Sequence, residues 1–230
     1  KATGVPLARA AARIMAGEAI ADLGLPDDGR EMDWFCMKEA VMPWGRFPGA
    51  EVVLGPEMKS TGEVMGIARS YPEAYAKTQL AIDHGLPKPG DGSVFISVCD
   101  RDKRHVLPIA RMLRHLGFDI CSTAGTARVL AGGNVACRVV GKISQRGAGD
   151  LPCVGDLLAS GEISFMINVP YGPGSRGDGY LLRTEAVRRG VTCVTELSAA
   201  NALVAALEAA IDAGPSAGME PIALQDLAAM

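Results

Sequence analysis

The 230-residue sequence predicts an α/β protein whose larger, second part is a Rossmann-like parallel β-sheet. Three observations lead to this fold class. Short apolar runs such as "SVFISV" and "ISFMINV" alternate with helix-like segments, a Pro- and Gly-rich stretch precedes them, and 48% of the residues are hydrophobic, which is ample for a core. Strands that alternate with helices pair in parallel through right-handed crossovers, with helices covering both faces of the sheet.

The first part of the chain predicts a helix, a strand and a second helix. Apolar residues recur at helical spacing from Val5 to Ala21. The run "WFCMKEAVMPW" predicts a strand that ends at Pro43. The stretch "EMKSTGEVMG" (57–66) poses a choice between a phosphate loop and a helix start. Its lysine precedes the second glycine, unlike G-x-x-x-x-G-K-S/T. Ser60 and Glu63 have the spacing of a capping box, so we predict a helix over about 60–81.

The stretch "DHGLPKPGDGS" (83–93) predicts a domain boundary, because Pro, Gly and Asp dominate it. We therefore divide the chain into residues 1–86 and 87–230. In the second part, the predicted strands are "SVFISV", "FDICST", "VACRVVG", "ISFMINV" and "VTCVTE". The predicted helices are "DKRHVLPIARMLRHLG", a short one after "AGT", one near "VGDLLASG", "YLLRTEAVRRG" and "SAANALVAALEAAID".

Composition excludes several classes of function. The net charge of -3 provides no basic field for nucleic acid, and no apolar run approaches the roughly 20 residues that span a bilayer. The six cysteines are widely spread without a C-x-x-C pair, which predicts reduced thiols and a cytoplasmic location. The sequence begins at Lys1, and its first methionine is Met15, so we expect a fragment of a longer chain.

The sequence contains no recognisable catalytic set and no predicted metal site. His84, His105 and His115 lack metal-ligand spacing with Asp, Glu or Cys. No G-x-S-x-G nucleophile elbow is present. The glycine-rich loop "GPGSRGDG" (172–179) carries Asp178, which is either a turn residue or the partner of a cationic ligand.

Small polar residues and two lysines follow the predicted strands, where open α/β sheets bind ligands. In "STAGTARVL", Thr123, Gly125 and Thr126 stand at a predicted helix N-terminus, which favours an anion. An ordinary strand-to-helix turn would have the same residue pattern. Each lysine taken singly also fits a solvated surface charge. Together the residues predict a site for a phosphorylated small molecule: Ser97, Lys103, Thr123, Gly125, Thr126, Lys142 and Asn168.

Four long runs resemble consecutive pieces of the carbamoyl-phosphate synthase large-chain family. They are "KATGVPLARAAARIMAG", "LGPEMKSTGEVMGIARSYPEAYAKTQLA", "VFISVCDRDKRHVLPIARMLRHLGFDICSTAGTARVL" and "GEISFMINVPYG". The tail "EPIALQDLAAM" also looks like the C-terminus of that family. The resemblance implies that residues 1–86 end the second ATP-grasp synthetase unit and that residues 87–230 form its methylglyoxal-synthase-like allosteric domain.

The resemblance also implies a parent ligase. It would make carbamoyl phosphate from ATP, bicarbonate and glutamine-derived ammonia, with Mg or Mn and K, for arginine and pyrimidine synthesis. The ATP- and metal-binding residues of the family lie upstream of the match, so we expect no catalytic residue, bound cofactor or activity in these residues alone. Expected partners are the upstream remainder of the large chain and a glutaminase small subunit, and the resemblance leaves oligomerisation open.

The resemblance carries two effector sites over to this sequence. A nucleotide such as UMP or IMP would bind the seven strand-end residues already named. The threonines that follow the asparagine in the family are replaced here by Val169 and Pro170, which leaves the nucleotide and the sign of its effect open. Ornithine would bind between the two parts, at Glu39, Met42, Asp178 and Thr195.

Two other readings remain open at the level of sequence. A methylglyoxal synthase shares the fold of the second part, but its "GGDQ"-like segment matches "RGAGDLPCVGD" poorly, and residues 1–86 have no role in that reading. A detached regulatory subunit would bind effectors and partner a separately encoded synthetase.

Overall fold

The computed structural model describes residues 2–26, 32–47, 50, 52–82, 85–147, 150–170, 177–214 and 221–227. His84 and residues 172–176 of the predicted glycine-rich loop lie outside them. The strands form two sheets, an antiparallel pair and a five-stranded sheet with the order β5-β4-β3-β6-β7. Within the described part of the chain, no helix is long and apolar enough to cross a membrane.

The antiparallel pair is a hairpin-like unit covered by one helix. Helix α1 (Leu7–Met15) precedes strands β1 (Phe35–Val41) and β2 (Gly62–Ala68), and helix α2 (Tyr71–Ala81) follows them. The pairing runs antiparallel from Phe35 opposite Ala68 to Val41 opposite Gly62. Helix α2 packs on both strands and also contacts the last long helix of the second part, so it joins the two sheets.

The predicted helix over 60–81 is wrong in its first half, because residues 62–68 form strand β2. Two glycines in this segment disfavour a helix interior, and pairing with β1 satisfies the backbone groups instead. Helix α2 begins only at Tyr71, where the Oγ of Ser70 accepts a hydrogen bond from the Glu73 amide at 3.4 Å, with Pro72 in the first turn. The capping pair is therefore Ser70 and Glu73, and Ser60 caps no helix.

The five-stranded parallel sheet confirms the predicted α/β class. Val94 in the central strand lies in register with Ile120 on one side and Phe165 on the other. The strands are β3 (Ser93–Val98), β4 (Ile120–Thr123), β5 (Arg138–Val140), β6 (Ile163–Val169) and β7 (Thr192–Val194). The helices are α3 (Val106–His115), α4 (Ala124–Gly132), α5 (Val154–Ser160), α6 (Asp178–Arg188), α7 (Leu197–Ala213) and α8 (Leu224–Leu227). The domain boundary within 83–93 stays a prediction.

Helices cover both faces of the parallel sheet. Val94 and Ile96 point into a core shared with α3, α4 and α7, whereas Phe95 points into a second core shared with α5 and α6. In the first core, the rings of Phe118 and Phe165 meet edge to face, with their centroids 5.8 Å apart. Because helices cover both faces of this sheet, a ligand can reach it at the carboxyl ends of its strands.

All six cysteines are free thiols. Burial raises the pKa of Cys121 to about 12 and the pKa of Cys137 to about 11, so both stay protonated at neutral pH. Among the described residues, no cluster of three or more His, Cys, Asp or Glu side chains could hold a metal ion.

Candidate functional site

A small cavity lies at the carboxyl ends of the central strands, where the strand order reverses between β3 and β6. Its volume is about 160 Å³, and we call it the smaller cavity. Four predicted effector residues line it: Ser97, Thr123, Lys142 and Asn168. The other lining residues are Phe95, Ile143, Val154, Asp178, Gly179 and Leu182. The structure therefore brings together polar residues from three strands, the segment that follows β5 and the start of α6.

Lys103 lies beside the first turn of α4 instead of lining the smaller cavity. A methyl group at Gly125 would come within 3.0 Å of the Lys103 Nζ, which shows how closely the ammonium approaches this turn. The Nζ also lies 2.5 Å from the Oδ1 of Asp100, an exposed carboxylate. The hydrogen bond and charge of Lys103 lower the pKa of Asp100. Asp100 therefore competes with any anion for this lysine.

The first turn of α4 has the features of an anion site. Thr123 stands at the N-cap in an extended conformation, and its side chain makes no capping hydrogen bond. The amide groups of the first turn are thus left to water or a ligand. Thr126 is 1% exposed, and among the described residues its Oγ1 has no hydrogen-bond partner. A buried hydroxyl can pair with a bound water or a ligand group, so Thr126 can contribute to an anion site at this turn.

Asn168 is held on both sides by polar contacts. Its Nδ2 donates to the backbone carbonyl of Ser97 at 3.1 Å, and its Oδ1 accepts from the Nη1 of Arg183 at 2.8 Å. Arg183 is 1% exposed and lies on the buried face of α6 with Leu182 and Ala186. The sequence prediction missed Arg183, although the helical period of "YLLRTEAVRRG" places it on the face that carries Ala186.

A larger cleft of about 1000 Å³ lies where the hairpin unit meets the parallel sheet. Glu39, Met42 and Thr195, three of the four residues predicted to bind ornithine, line this larger cleft. Asp178, the fourth, lines the smaller cavity instead. Its carboxylate accepts hydrogen bonds from the amide and the Oγ of Ser144, at 3.2 and 2.9 Å. The four residues therefore do not share one cavity in this structure.

The carboxylate of Glu39 is anchored from helix α2. Its Oε2 accepts hydrogen bonds from the Oγ1 of Thr78 at 2.9 Å and from the Nε2 of Gln79 at 2.6 Å. Tyr75 also lines the larger cleft, and burial together with the charge of Glu39 raises the pKa of its phenol. The phenol therefore stays neutral and can donate a hydrogen bond, while Glu39 supplies a negative charge that suits an amine.

A family model and several large chains of carbamoyl phosphate synthase match this chain. A family model described as "MGS-like domain" matches residues 105–195. The carbamoyl phosphate synthase large chain of Clavibacter michiganensis subsp. michiganensis is 44% identical over an alignment of 243 residues, gaps included. The alignment covers 99% of this chain and 21% of that protein. The "Carbamoyl phosphate synthase large chain, C-terminal section" of Methanopyrus kandleri is 44% identical over 214 residues, which cover 90% of this chain and 38% of that protein.

Among solved structures, a methylglyoxal synthase from Elizabethkingia anophelis NUHP1 matches with a TM-score of 0.40 and 14% identity. The match covers 58% of this chain and 83% of that one. The chain thus spans about a fifth of the Clavibacter large chain and less than half of the Methanopyrus section.

Proposed function

Because this chain is a homologue of the carbamoyl phosphate synthase large chains and carries an MGS-like domain, we propose that it is the effector-binding, regulatory part of such an enzyme. Its ligands are a phosphorylated nucleotide of the UMP or IMP type and an amino acid of the ornithine type. Regulation, effectors and parent activity are all parts of this proposal.

The observation that carries the nucleotide site is the smaller cavity. Three polar side chains from strands β3, β4 and β6 converge on it with the cation Lys142, which follows strand β5. The uncapped first turn of α4 adds free amide groups beside it. Backbone amides, hydroxyls and an ammonium are the groups that bind a phosphate.

The size of the smaller cavity limits what can enter it. Its 160 Å³ is well below the roughly 300–1,000 Å³ of sites that enclose a drug-sized ligand. We infer that the phosphate group enters the cavity and that the sugar and base lie towards its mouth. The phosphate would bind Lys142 and the Thr123–Thr126 turn, and Lys103 would join once it leaves Asp100.

An amino acid with a second amine fits the larger cleft. Glu39 offers a carboxylate and Thr195 a hydroxyl, while Met42 adds an apolar contact for a methylene chain. Asp178 would reach this ligand only after leaving Ser144. We retain ornithine as the proposed ligand on the first three residues.

The proposed mechanism is a two-state coupling between effector and catalytic unit. A bound phosphate would favour one arrangement of the parallel sheet against the hairpin unit, and α2 would transmit the change because it contacts both. Strand β1 and residues 60–63 would contribute to the docking surface towards the synthetase unit. Residues 60–63 contribute to this surface as extended chain and the start of β2, not as a helix.

In this proposal the chemistry belongs to the parent enzyme. ATP, a divalent metal (Mg or Mn) and K would bind upstream residues of a complete ATP-grasp unit. A glutaminase small subunit would supply ammonia, and the product would feed arginine and pyrimidine synthesis in the cytoplasm. We expect no catalytic activity from these residues alone.

Binding measurements test the proposal directly. A thermal-shift screen of UMP, IMP, ornithine and arginine on the 230-residue chain should identify the stabilising ligands. Calorimetry should then show at least about tenfold weaker nucleotide binding for Lys142→Ala, because a charge-assisted contact is lost. The control is Lys88→Ala, which removes an exposed lysine outside both cavities. Unchanged UMP binding in Lys142→Ala would contradict the site.

A further inference from the structure

We propose that Arg183 is a positioning residue of the smaller cavity. Its buried guanidinium fixes the side-chain amide of Asn168 so that the amide presents an N–H group to a bound phosphate. This inference rests on the function proposed for that cavity and adds a residue that does not line it.

The orientation of the Asn168 amide follows from the chemistry of its neighbours. A guanidinium group only donates hydrogen bonds, so the atom 2.8 Å from the Arg183 Nη1 must be the amide oxygen. A backbone carbonyl only accepts, so the atom 3.1 Å from the Ser97 oxygen must be the amide nitrogen. The two contacts agree, and turning the amide over would break both.

The fixed orientation determines what the smaller cavity offers to a ligand. The Nδ2 carries two hydrogens, and the Ser97 carbonyl takes one of them. Asn168 is 6% exposed and lines the cavity, so the second hydrogen is the group it can give to a ligand there. An N–H donor suits a phosphate oxygen, whereas the reversed amide would present a carbonyl oxygen that repels it.

The start of α6 is built to allow this contact. A methyl group at Gly179 would lie 2.9 Å from the Arg183 Nη1 and 3.6 Å from the Asn168 Oδ1. Glycine at the second position of α6 therefore leaves room for the guanidinium beside the amide. A buried guanidinium needs hydrogen-bond acceptors, and the Asn168 oxygen is one of those that Arg183 uses.

Three arginine variants test the inference by calorimetry with inorganic phosphate and with UMP. Arg183→Met should weaken binding of both at least about tenfold, because the amide then loses one of the two hydrogen bonds that fix its position towards the ligand. Arg183→Lys keeps a donor and a charge and should restore part of the affinity. The matched control is Arg188→Met, an exposed arginine on the same helix, which should bind like the wild type. A folded Arg183→Met variant with wild-type affinity would overturn the inference.

Asn168→Asp keeps the hydrogen bond from Arg183 but removes the N–H donor, both to the ligand and to the Ser97 carbonyl. Its carboxylate still accepts from Arg183, so the variant should fold, with a lower thermal midpoint than the wild type because the Ser97 contact is lost, and phosphate binding should be lost. Wild-type phosphate binding in this variant would overturn the inference even if Arg183→Met does not fold.

A ligand-free measurement separates this inference from the proposed function. In ¹⁵N NMR spectra of the wild type, the Asn168 side-chain hydrogen that is bonded to the Ser97 carbonyl should exchange slowly with water, and fast exchange of that hydrogen would refute the fixed amide. Failure of the wild-type chain to bind phosphate or UMP would overturn the proposed function, and the inference that rests on it, whatever the exchange rate. Tight binding together with fast exchange would overturn the inference alone.

Discussion

Replacing Gly66 with alanine should destabilise the protein strongly, whereas the same change at Gly62 should not. Both glycines lie in strand β2, and their even spacing places them on one face. An added methyl at Gly66 would come within 2.0 Å of the carbonyl oxygen of Ala74 in helix α2. An added methyl at Gly62 meets nothing within 4 Å. The pair is therefore a matched test of how closely α2 packs on this strand.

The expected loss of unfolding free energy follows from the overlap between the added methyl group and the Ala74 carbonyl oxygen. Because the clash at Gly66 is with backbone, no rotamer change relieves it, and α2 must move away from the strand by about 1.5 Å to restore normal contact. That movement would loosen Ala74 and Ala76, both fully buried. Overpacking of this kind costs about 1–3 kcal/mol, and a backbone clash belongs at the upper end, about 3 kcal/mol. For a chain of this size, that lowers the thermal midpoint by roughly 6–12 °C.

Urea unfolding followed by circular dichroism measures both variants. We expect Gly62→Ala to stay within about 0.5 kcal/mol of the wild type, as surface changes usually do. A helix over residues 60–81 would give the opposite result, since glycine to alanine in a helix interior stabilises by about 1 kcal/mol. Stabilisation of both variants would refute the strand and the close packing together.

Three further predictions concern a helix cap, an ion pair and a thiol. Ser70→Ala should cost about 1 kcal/mol of unfolding free energy in urea titrations, while Ser60→Ala should cost almost nothing, because only Ser70 caps α2. Hydrogen bonding from Arg188 is the main cause that lowers the pKa of Glu185 to about 2, so this carboxylate stabilises the fold at neutral pH. That contribution is about 1 kcal/mol for a partly exposed pair, and it should disappear as the pH falls from about 4.5 to 2. In Glu185→Gln, the thermal midpoint should therefore fall less over this pH range than in the wild type. Cys121, fully buried with its pKa raised to about 12, should resist iodoacetamide at pH 8 until urea unfolds the chain, and peptide mass mapping before unfolding should find it unmodified.

The fold of the second part could be predicted because short, mainly apolar runs such as "SVFISV" and "ISFMINV" alternate with helical segments. The same simple pattern fails in the first part. Residues 62–68 contain apolar residues at spacings that fit either a strand or a helix, and the nearby Ser60 and Glu63 imitate a cap. Only the pairing of this segment with β1 decides for the strand, and that partner lies more than twenty residues earlier in the chain.

The candidate site shows the same limit. Ser97, Thr123, Lys142 and Asn168 could be found because carboxyl ends of parallel strands share one edge, whatever the strand order. The sequence could not predict that Asp178 lines the smaller cavity and not the larger cleft that contains Glu39. That placement depends on the contact between Asp178 and Ser144. The helical period could have placed Arg183 on the buried face of α6, but its contact with Asn168 depends on how α6 packs beside β6.

The position of β3 in the sheet has a consequence for the order of folding. Ser97 on β3 and Asn168 on β6 meet although 71 residues separate them. Closing such a long loop is entropically costly, so neighbouring strands linked by short crossovers should associate earlier. During synthesis on the ribosome, the cavity cannot exist until β6 has emerged, and a nascent chain that stops before it would expose an open edge of β3.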